Sequence, residues 1–399
     1  TEKTVENQRT RLESQMLQRW GGIYRSEEDL TQVFQRFLTE NQLTPEELND
    51  SQTLQQAFLL KMFPICLEVA QNSEATGCFL LMTGESPEVP GNVSGFYVRD
   101  YDPNTKTADN TDLSFARCGT LLSRSLDIAL SSDWTTYFCL AGDGVRKSDE
   151  FYYAPWRAAR ENPEAETRNL GYWSEPFYLE DDPVCGYKAI AYSIPLRRNG
   201  QVYAVFGVEI SLPVLIKEYM VSVGSDSSDH SYLIAVEDAD GDYRPIAGDD
   251  YLSNLLLSQS SFRLVETKYD NLYHVDSIPF DGKLLYASLS PMKLYSNNPP
   301  YANSNWVFLG LKGQEELFGM GQSLYLWIIG AVLVGLLFAV VAIYVLVRHL
   351  TDPIQLLTDS ISQGPRGLVK YRPSGIPEID GIHQVVSQLV EKQQATELS

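Results

Sequence analysis

Between Leu324 and Val347 the chain reads LYLWIIGAVLVGLLFAVVAIYVLV, 24 residues without a charged side chain. At 1.5 Å per residue this makes roughly 36 Å of helix, enough to cross a hydrocarbon layer of about 30 Å with some tilt. A buried core helix is the alternative, but such helices are usually shorter and carry a polar stripe, which this run lacks. Tyr325, Trp327 and Tyr344 stand near its ends, where interfacial aromatics collect. Arg348 and His349 follow the run directly, with Arg366, Lys370 and Arg372 soon after, whereas Lys312 before it is accompanied by Glu315 and Glu316. This asymmetry marks the C-terminal side as cytoplasmic and residues 1–323 as extracytoplasmic, anchored in a cell membrane. Export of a segment that opens at Thr1 implies a first membrane helix or signal that has been removed.

The formal charge is −21, and beyond Val347 five Lys or Arg stand against six Asp or Glu, so −20 belongs to residues 1–323. An acidic surface repels nucleic acid, and no nucleic-acid partner is expected. Five cysteines (Cys66, Cys78, Cys118, Cys139 and Cys185) show no metal-ligand spacing. Export would allow two of them to pair, the odd count leaves at least one over, and no bridge is assigned. His230, His274, His349 and His383 do not stand beside a nucleophile, and there is no Gly-rich phosphate loop, so no catalytic residue, metal or cofactor is expected in the chain itself. The acidic stretch 238–245, DADGDYRP, lacks the ligand pattern of a calcium loop and is read as a turn.

Residues 1–72 repeat apolar side chains at helical spacing, with Gly21-Gly22 expected to break the first stretch and Thr44 to cap a helix opening at Pro45. Short apolar runs follow at 78–82, 95–101, 188–196 and 202–210, separated by Gly, Pro and Asn, and read as an antiparallel sheet. Asn199-Gly200 between the last two is a hairpin signal, because both residues tolerate the positive φ a tight turn needs. A second set at 232–237, 243–247, 262–266, 272–278, 283–292 and 306–311 reads as another small sheet. The link between them opens with helix-like LPVLIKEYM and ends in SVGSDSSDH, a flexible composition. The class is therefore α+β, a long N-terminal helix with two antiparallel-sheet domains.

From Trp134 to Tyr192 the chain is dense in aromatics, and small-molecule pockets are apolar walls with a few polar groups that fix orientation. Trp134, Tyr137, Tyr153, Trp156, Tyr172, Trp173 and Tyr192 are candidate walls, and Arg157, Asp181, Asp182 and Glu209 candidate polar groups. For any single aromatic the competing role is ordinary core or sheet face.

The stretch FYYAPWRAARENPEAETRNLGYWSEPF, 151–177, followed by the two strands ending in GVEIS, resembles the membrane-distal pocket region of double Cache sensors. The resemblance covers roughly residues 1–320 and is specific over about 60 of them. It implies two PAS-like sheets along a long N-terminal helix and an extracellular small-molecule ligand. Amino-acid-binding members carry an Arg two residues before the pocket Trp and a Tyr directly after it, where this chain has Ala154 and Arg157. Their Tyr-x-Asp is matched by Phe177-Tyr178-Leu179 and the Asp of the last strand by Glu209, so the resemblance does not extend to an amino-acid ligand.

After the membrane run, Asp352-Pro353-Ile354 opens one helix, 364–375 is a connector and Pro377-Glu378 opens a second, with Ile382, Val385, Val386 and Leu389 at core spacing. This resembles a HAMP relay. Two short amphipathic helices cannot bury their stripes alone, which points to a parallel four-helix homodimer. The expected domains are a helical region 1–72, a distal sheet domain 73–215, a proximal one 216–321, the membrane helix 322–348 and the relay 349–399. The reading is a receptor for an extracellular small molecule, relaying to a cytoplasmic diguanylate cyclase or histidine kinase expected beyond Ser399. Its rivals are a chemoreceptor, an ectodomain that binds a protein partner, and an anchored hydrolase.

Overall fold

Helix follows helix over the first 72 residues because apolar side chains recur on one face and the breaks are capped. Helix α1 (Glu2–Gln15) runs into a π turn (Met16–Trp20), a 3-10 stretch (Gly21–Ser26) and α2 (Glu27–Asn41). At these junctions Gln15, Trp20, Gly21, Ser26 and Glu27 all keep right-handed helical angles, so Gly21-Gly22 changes the winding and does not break the rod as the sequence suggested. The reason is packing: one wide turn followed by a tight one turns Met16 and Trp20 fully inward. Gln42 ends α2 in the left-handed region. Thr44 then caps α3 (Pro45–Asp50) in a capping box with Glu47, as expected, and α4 (Gln52–Asn72) completes the helical set. The computed structural model describes residues 2–84, 87–104, 110–181, 187–220, 231–276, 284–296, 299–362 and 372–397. It divides into two compact units, Thr1–Leu317 and Phe318–Ser399.

The region expected to be distal contributes β1 (Gly77–Met82), β2 (Gly91–Val93), β3 (Gly95–Asp100), β4 (Leu113–Arg117), α5 (Thr120–Leu126), β5 (Ala129–Thr135), β6 (Phe138–Leu140), α6 (Glu150–Glu161), β7 (Tyr172–Trp173), β8 (Ala189–Arg198) and β9 (Gln201–Ser211). Among the described residues seven of these strands form one sheet in the order β5-β4-β3-β1-β9-β8-β7. All its pairs are antiparallel except β4 with β5, which α5 joins in parallel, a departure from the purely antiparallel sheet expected. The β8–β9 hairpin turns at Asn199 (φ 50°) and Gly200 (φ 78°), the two positive angles foreseen. Both faces of the sheet are covered. On one, α4 sets Phe63 5.3 Å from Phe96 and 5.3 Å from Phe115. On the other, α6 packs Phe151, Tyr152 and Tyr153 into a separate core with Phe79, Leu81, Tyr97 and Val205.

A short turn α7 (Leu212–Val214) and a π turn (Leu215–Met220) lead to the region expected to be proximal, and the rest of the expected linker, 221–230, lies outside the described residues. That region comprises β10 (Ser231–Glu237), β11 (Tyr243–Gly248), α8 (Tyr251–Leu257), β12 (Arg263–Glu266), β13 (Tyr273–Asp276), β14 (Leu285–Met292) and β15 (Asn305–Gly313). Its sheet has the order β11-β10-β15-β14-β13-β12, antiparallel throughout. Residues 277, 278 and 283 of the strands expected here lie outside the described residues. Helix α8 buries Leu252 and Leu256 on one face, and α1 lies along β14 and β15 on the other. One helical rod thus serves both sheets, α1 the proximal and α2 with α4 the distal.

In the second unit the apolar run lies within α9 (Gln314–Ser362), where Leu324–Ser362 is long and apolar enough to cross a membrane and its apolar window is unburied. Pro353, expected to open a new helix, lies inside this one, flanked by an Arg348–Asp352 ion pair one turn apart. A Pro removes a single N–H, which a long helix absorbs at a cost of about 3 kcal/mol. Helix α10 (Pro377–Glu397) is preceded by Ser374, whose N–H and hydroxyl donate to Asp380 at 2.7 and 2.9 Å. Connector residues 364–371 lie outside the described residues.

Trp20 joins the rod to both neighbours, edge-on to Trp173 of β7 at 6.2 Å and to Tyr219 of the interdomain turn at 5.2 Å. Truncating a buried Trp costs about 3–5 kcal/mol. Trp20→Ala is expected to destabilise by that amount in denaturant unfolding of the full chain in detergent, followed by far-ultraviolet circular dichroism. A loss under about 1 kcal/mol would show that the rod is held elsewhere.

Candidate functional site

Alternation along the distal strands sorts their side chains onto two faces. On β9, Phe206, Val208 and Ile210 turn to the N-terminal helices, while Val205, Gly207 and Glu209 turn to the α6 side. On β3, Tyr97 joins the α6-side core, which places Arg99 two residues on at the same face. The register aligns Gly77 of β1 with Arg99 on one side and with Glu209 on the other. With only a hydrogen at Gly77, the two long side chains meet over β1, Arg99 Nε lying 3.4 Å from a Glu209 carboxylate oxygen. A Cβ at Gly77 would sit 2.6 Å from the Val98 carbonyl, so the position admits no other residue without a backbone shift.

Glu209 is 0% exposed. Its Oε2 accepts from the Tyr97 hydroxyl and from Arg99, and the Tyr187 hydroxyl is also hydrogen-bonded to this carboxylate, while the buried Oε1 has no partner in normal hydrogen-bond geometry among the described residues. The Arg99 guanidinium also lies 4.8 Å from the Tyr187 ring and 4.0 Å from Asp133. Burial pulls the Arg99 pKa down, but Glu209, Tyr97 and Tyr187 outweigh it and the net shift is upward, so the cation is fixed. Burial, then the Glu209 charge, pushes the Tyr97 and Tyr187 phenols well up, which keeps both as donors.

The charges continue as a band. Buried Arg117 donates to Glu180 at 3.2 Å and to the Asp133 carbonyl at 2.9 Å. Glu180 also accepts from the Cys139 N–H at 2.9 Å, and its carbonyl receives Arg146 at 3.4 Å. Arg146 in turn forks onto Asp149, which is held among apolar groups and accepts from the Ala141 N–H at 2.9 Å. Burial raises the Asp149 pKa against the pull of these bonds. Glu180 and Asp181 both hold positive φ, 56° and 59°, backbone that non-glycine residues adopt at a cost.

The residues singled out from the sequence divide between the faces. Glu209 lies at the centre of the charged cluster. Tyr153 and Trp156 belong to the core under α6, the Tyr153 pKa being pushed up to about 12 by burial and Asp149 against a backbone hydrogen bond at Gly142. Trp156 also lines a cleft of roughly 470 Å³ at the hairpin end of the sheet, with the Arg160 guanidinium 4.7 Å from its ring. Arg157 is held by Asp143 and Glu150. Tyr172, on the edge strand, meets Tyr301 of the proximal domain at 5.1 Å. Trp173 and Tyr192 pack against each other at 4.8 Å on the opposite face, in the core under the N-terminal helices. Trp134 packs against that core and donates to the Cys118 carbonyl at 3.1 Å, and Tyr137 is half-buried in the turn before β6. Asp181 is exposed, and Asp182 lies outside the described residues. Sequence reasoning missed Tyr97, Arg99, Asp133 and Arg117. The signal available was an arginine inside each of two apolar strands, GFYVRD and LSFAR.

The chain is similar in structure to the ligand-binding domain of the Pseudomonas aeruginosa amino-acid chemoreceptor PctB in complex with L-Arg, at 13% identity and a TM-score of 0.39, over 79% of this chain and 97% of that one. The corresponding domain of P. aeruginosa PctC in complex with GABA aligns at 13% identity and 0.36, over 78% and 97%. That of Pseudomonas fluorescens CtaA in complex with L-leucine aligns at 14% and 0.32, over 77% and 97%. No family model and no curated protein matches the sequence.

Removing one partner of a buried ion pair leaves the other charge stranded and costs about 3–5 kcal/mol. Arg99→Met is expected to destabilise by that much, and Glu209→Gln in the same background to recover most of it. Denaturant unfolding of the single and double variants measures the coupling, and equal losses in both would show that Arg99 acts through packing alone.

Proposed function

We propose that the chain is a transmembrane receptor that seats an extracellular small molecule against Glu209 in the distal sheet domain and passes the response through the proximal domain to the membrane helix. The observation that carries the ligand site is Glu209 Oε1, buried without a hydrogen-bond partner among the described residues. A buried carboxylate oxygen without a donor is costly, by about 1–3 kcal/mol or more for a charged group, and natural structures rarely retain one without a role. A ligand with an N–H or O–H group would satisfy it, with Tyr97 and Tyr187 as walls and Arg99 and Arg117 holding the acidic groups in place. Tyr153, Trp156, Arg157 and Tyr172 on the same side would shape the rest of the site.

Two further features support the receptor reading. β15, internal to the proximal sheet, ends at Gly313, and the next residue starts the helix that contains the membrane-length run. Any displacement of that strand is delivered to the helix without an intervening loop. On α10, Ile382, Val385 and Leu389 are 53%, 57% and 60% exposed, an apolar stripe that a second copy would cover. In this reading residues 349–399 form a HAMP-like relay in a homodimer, with residues 1–323 outside the cell and the relay in the cytoplasm. The output it would drive is a diguanylate cyclase or histidine kinase, with a chemoreceptor as the alternative.

A ligand that binds only the folded state stabilises it by RT ln(1 + [L]/Kd), about 2.7 kcal/mol at 100 Kd. A thermal-shift screen of the full chain in detergent against amino acids, amines, carboxylates, nucleobases and sugars is expected to give a hit that Glu209→Gln and Trp156→Ala both weaken. A hit indifferent to both substitutions, or a silent panel, would remove the distal domain as the small-molecule site.

A further inference from the structure

We infer a second small-molecule site, in the proximal domain, built to take a short-chain monocarboxylate on Lys312. The register of three adjacent strands assembles it. Tyr232 on β10 and Ser288 on β14 both pair with Gly310 of β15, and Tyr286 pairs with Lys312, so these side chains share the face over which α1 lies. Gly310 adds no side chain between them. A cavity of roughly 200 Å³ results, roofed by Val5 of α1 and bounded by Leu317 in the first turn of α9. The loop before β13 closes one side and is itself fixed, Thr267 donating to the Leu272 carbonyl at 2.7 Å and Asn271 accepting from the Leu289 N–H at 3.3 Å.

The chemistry of the occupant follows from the lining. Lys312 is half-buried and forms no ion pair among the described residues, although the ectodomain is strongly acidic. Asp270 lies at the rim, is exposed, and does not pair with it. An ammonium held against apolar walls without a counter-ion is poorly solvated, and a carboxylate is the group that relieves it. Around it Tyr232, Tyr286 and Ser288 present hydroxyls, and burial raises the Tyr232 pKa, which keeps that phenol protonated. Val5, Leu272 and Leu317 favour an alkyl body. The volume is below the 300–1,000 Å³ or so of pockets for larger ligands, which sets the size at about two to five carbons. A molecule seated here touches α1, β15 and the start of α9 together, and so acts where the last strand becomes the membrane helix, independently of Glu209.

The test is a thermal-shift titration of the full chain in detergent with sodium propionate at constant ionic strength, with propionamide as the uncharged isostere. Propionate is expected to raise the melting temperature saturably and propionamide to leave it unchanged. Lys312→Met keeps the alkyl stem and removes the charge, and should weaken propionate by about tenfold to a hundredfold, the worth of a charge-assisted hydrogen bond. Ser288→Leu, which fills the cavity from its floor, should abolish the response even if Lys312→Met folds poorly. Glu209→Gln should leave the propionate response as it is in the unsubstituted chain, which keeps this site distinct from the distal one. Equal responses to acid and amide, an unchanged response in Lys312→Met and Ser288→Leu, or no saturable response to acetate, propionate or butyrate would overturn the proposal.

Discussion

Each of the two sheets has two apolar faces, and the chain covers one face of both with a single helical rod. This constraint organises residues 2–317. A straight α-helix keeps its apolar stripe in nearly one direction, yet the distal and proximal sheets need α1 and α2 to present different faces. The π turn at Met16–Trp20 and the 3-10 stretch at Gly21–Ser26 re-aim the stripe without ending the helix. Trp20 occupies the point of change and is fully buried between Trp173 and Tyr219, that is, between the distal sheet and the turn that leads to the proximal one.

Once the helices have taken one face of the distal sheet, the other is left to α6 and to charge. Across that face the carboxylates and guanidinium groups alternate from Asp149 to Glu209, so each buried charge has a neighbour of opposite sign. Buried pairs of this kind contribute little net stability, because desolvation cancels most of the attraction. Their effect is positional: Arg99 and Arg117 are held by several partners each, and of the two carboxylate oxygens of the band left without a hydrogen bond among the described residues, Asp133 Oδ2 and Glu209 Oε1, the latter is fixed in place by Tyr97, Arg99 and the absence of a side chain at Gly77. A rigid, incompletely satisfied acceptor is a better recognition element than a mobile one, since no ordering entropy remains to be lost on binding.

Local chemistry was legible in the sequence. The Thr44–Glu47 box and the Asn199-Gly200 turn follow from rules that involve neighbours in the chain only, and the strands with unbroken apolar runs were found within a residue or two of their ends. What a linear reading lacked was the face of each strand. Trp173 and Tyr192 were grouped with pocket aromatics because they lie near Trp156 in sequence, but Tyr192 alternates with Ile190 and Ile194 towards the helices. Charged residues are usually exposed, and the burial of Arg99 and Arg117 becomes intelligible only when their partners from distant parts of the chain, Glu209 for Arg99 and Glu180 for Arg117, are set beside them. Pro353 misled for the opposite reason: a local rule for helix starts was overridden by a helix long enough to absorb one lost hydrogen bond.

A signalling reading adds one energetic requirement. A ligand shifts a two-state equilibrium only by the difference in its affinity for the two states, and moving a population from 1:99 to 99:1 takes about 5.5 kcal/mol. A loose contact at a cleft edge cannot supply that, since it changes little between states. A donor docking on a carboxylate fully removed from water could supply more, because a buried charged acceptor gains more from a hydrogen bond than one in water does. In that reading Glu209 would provide the differential binding energy, and β15, which ends at Gly313 directly before α9, the link between the second sheet and the helix of membrane length.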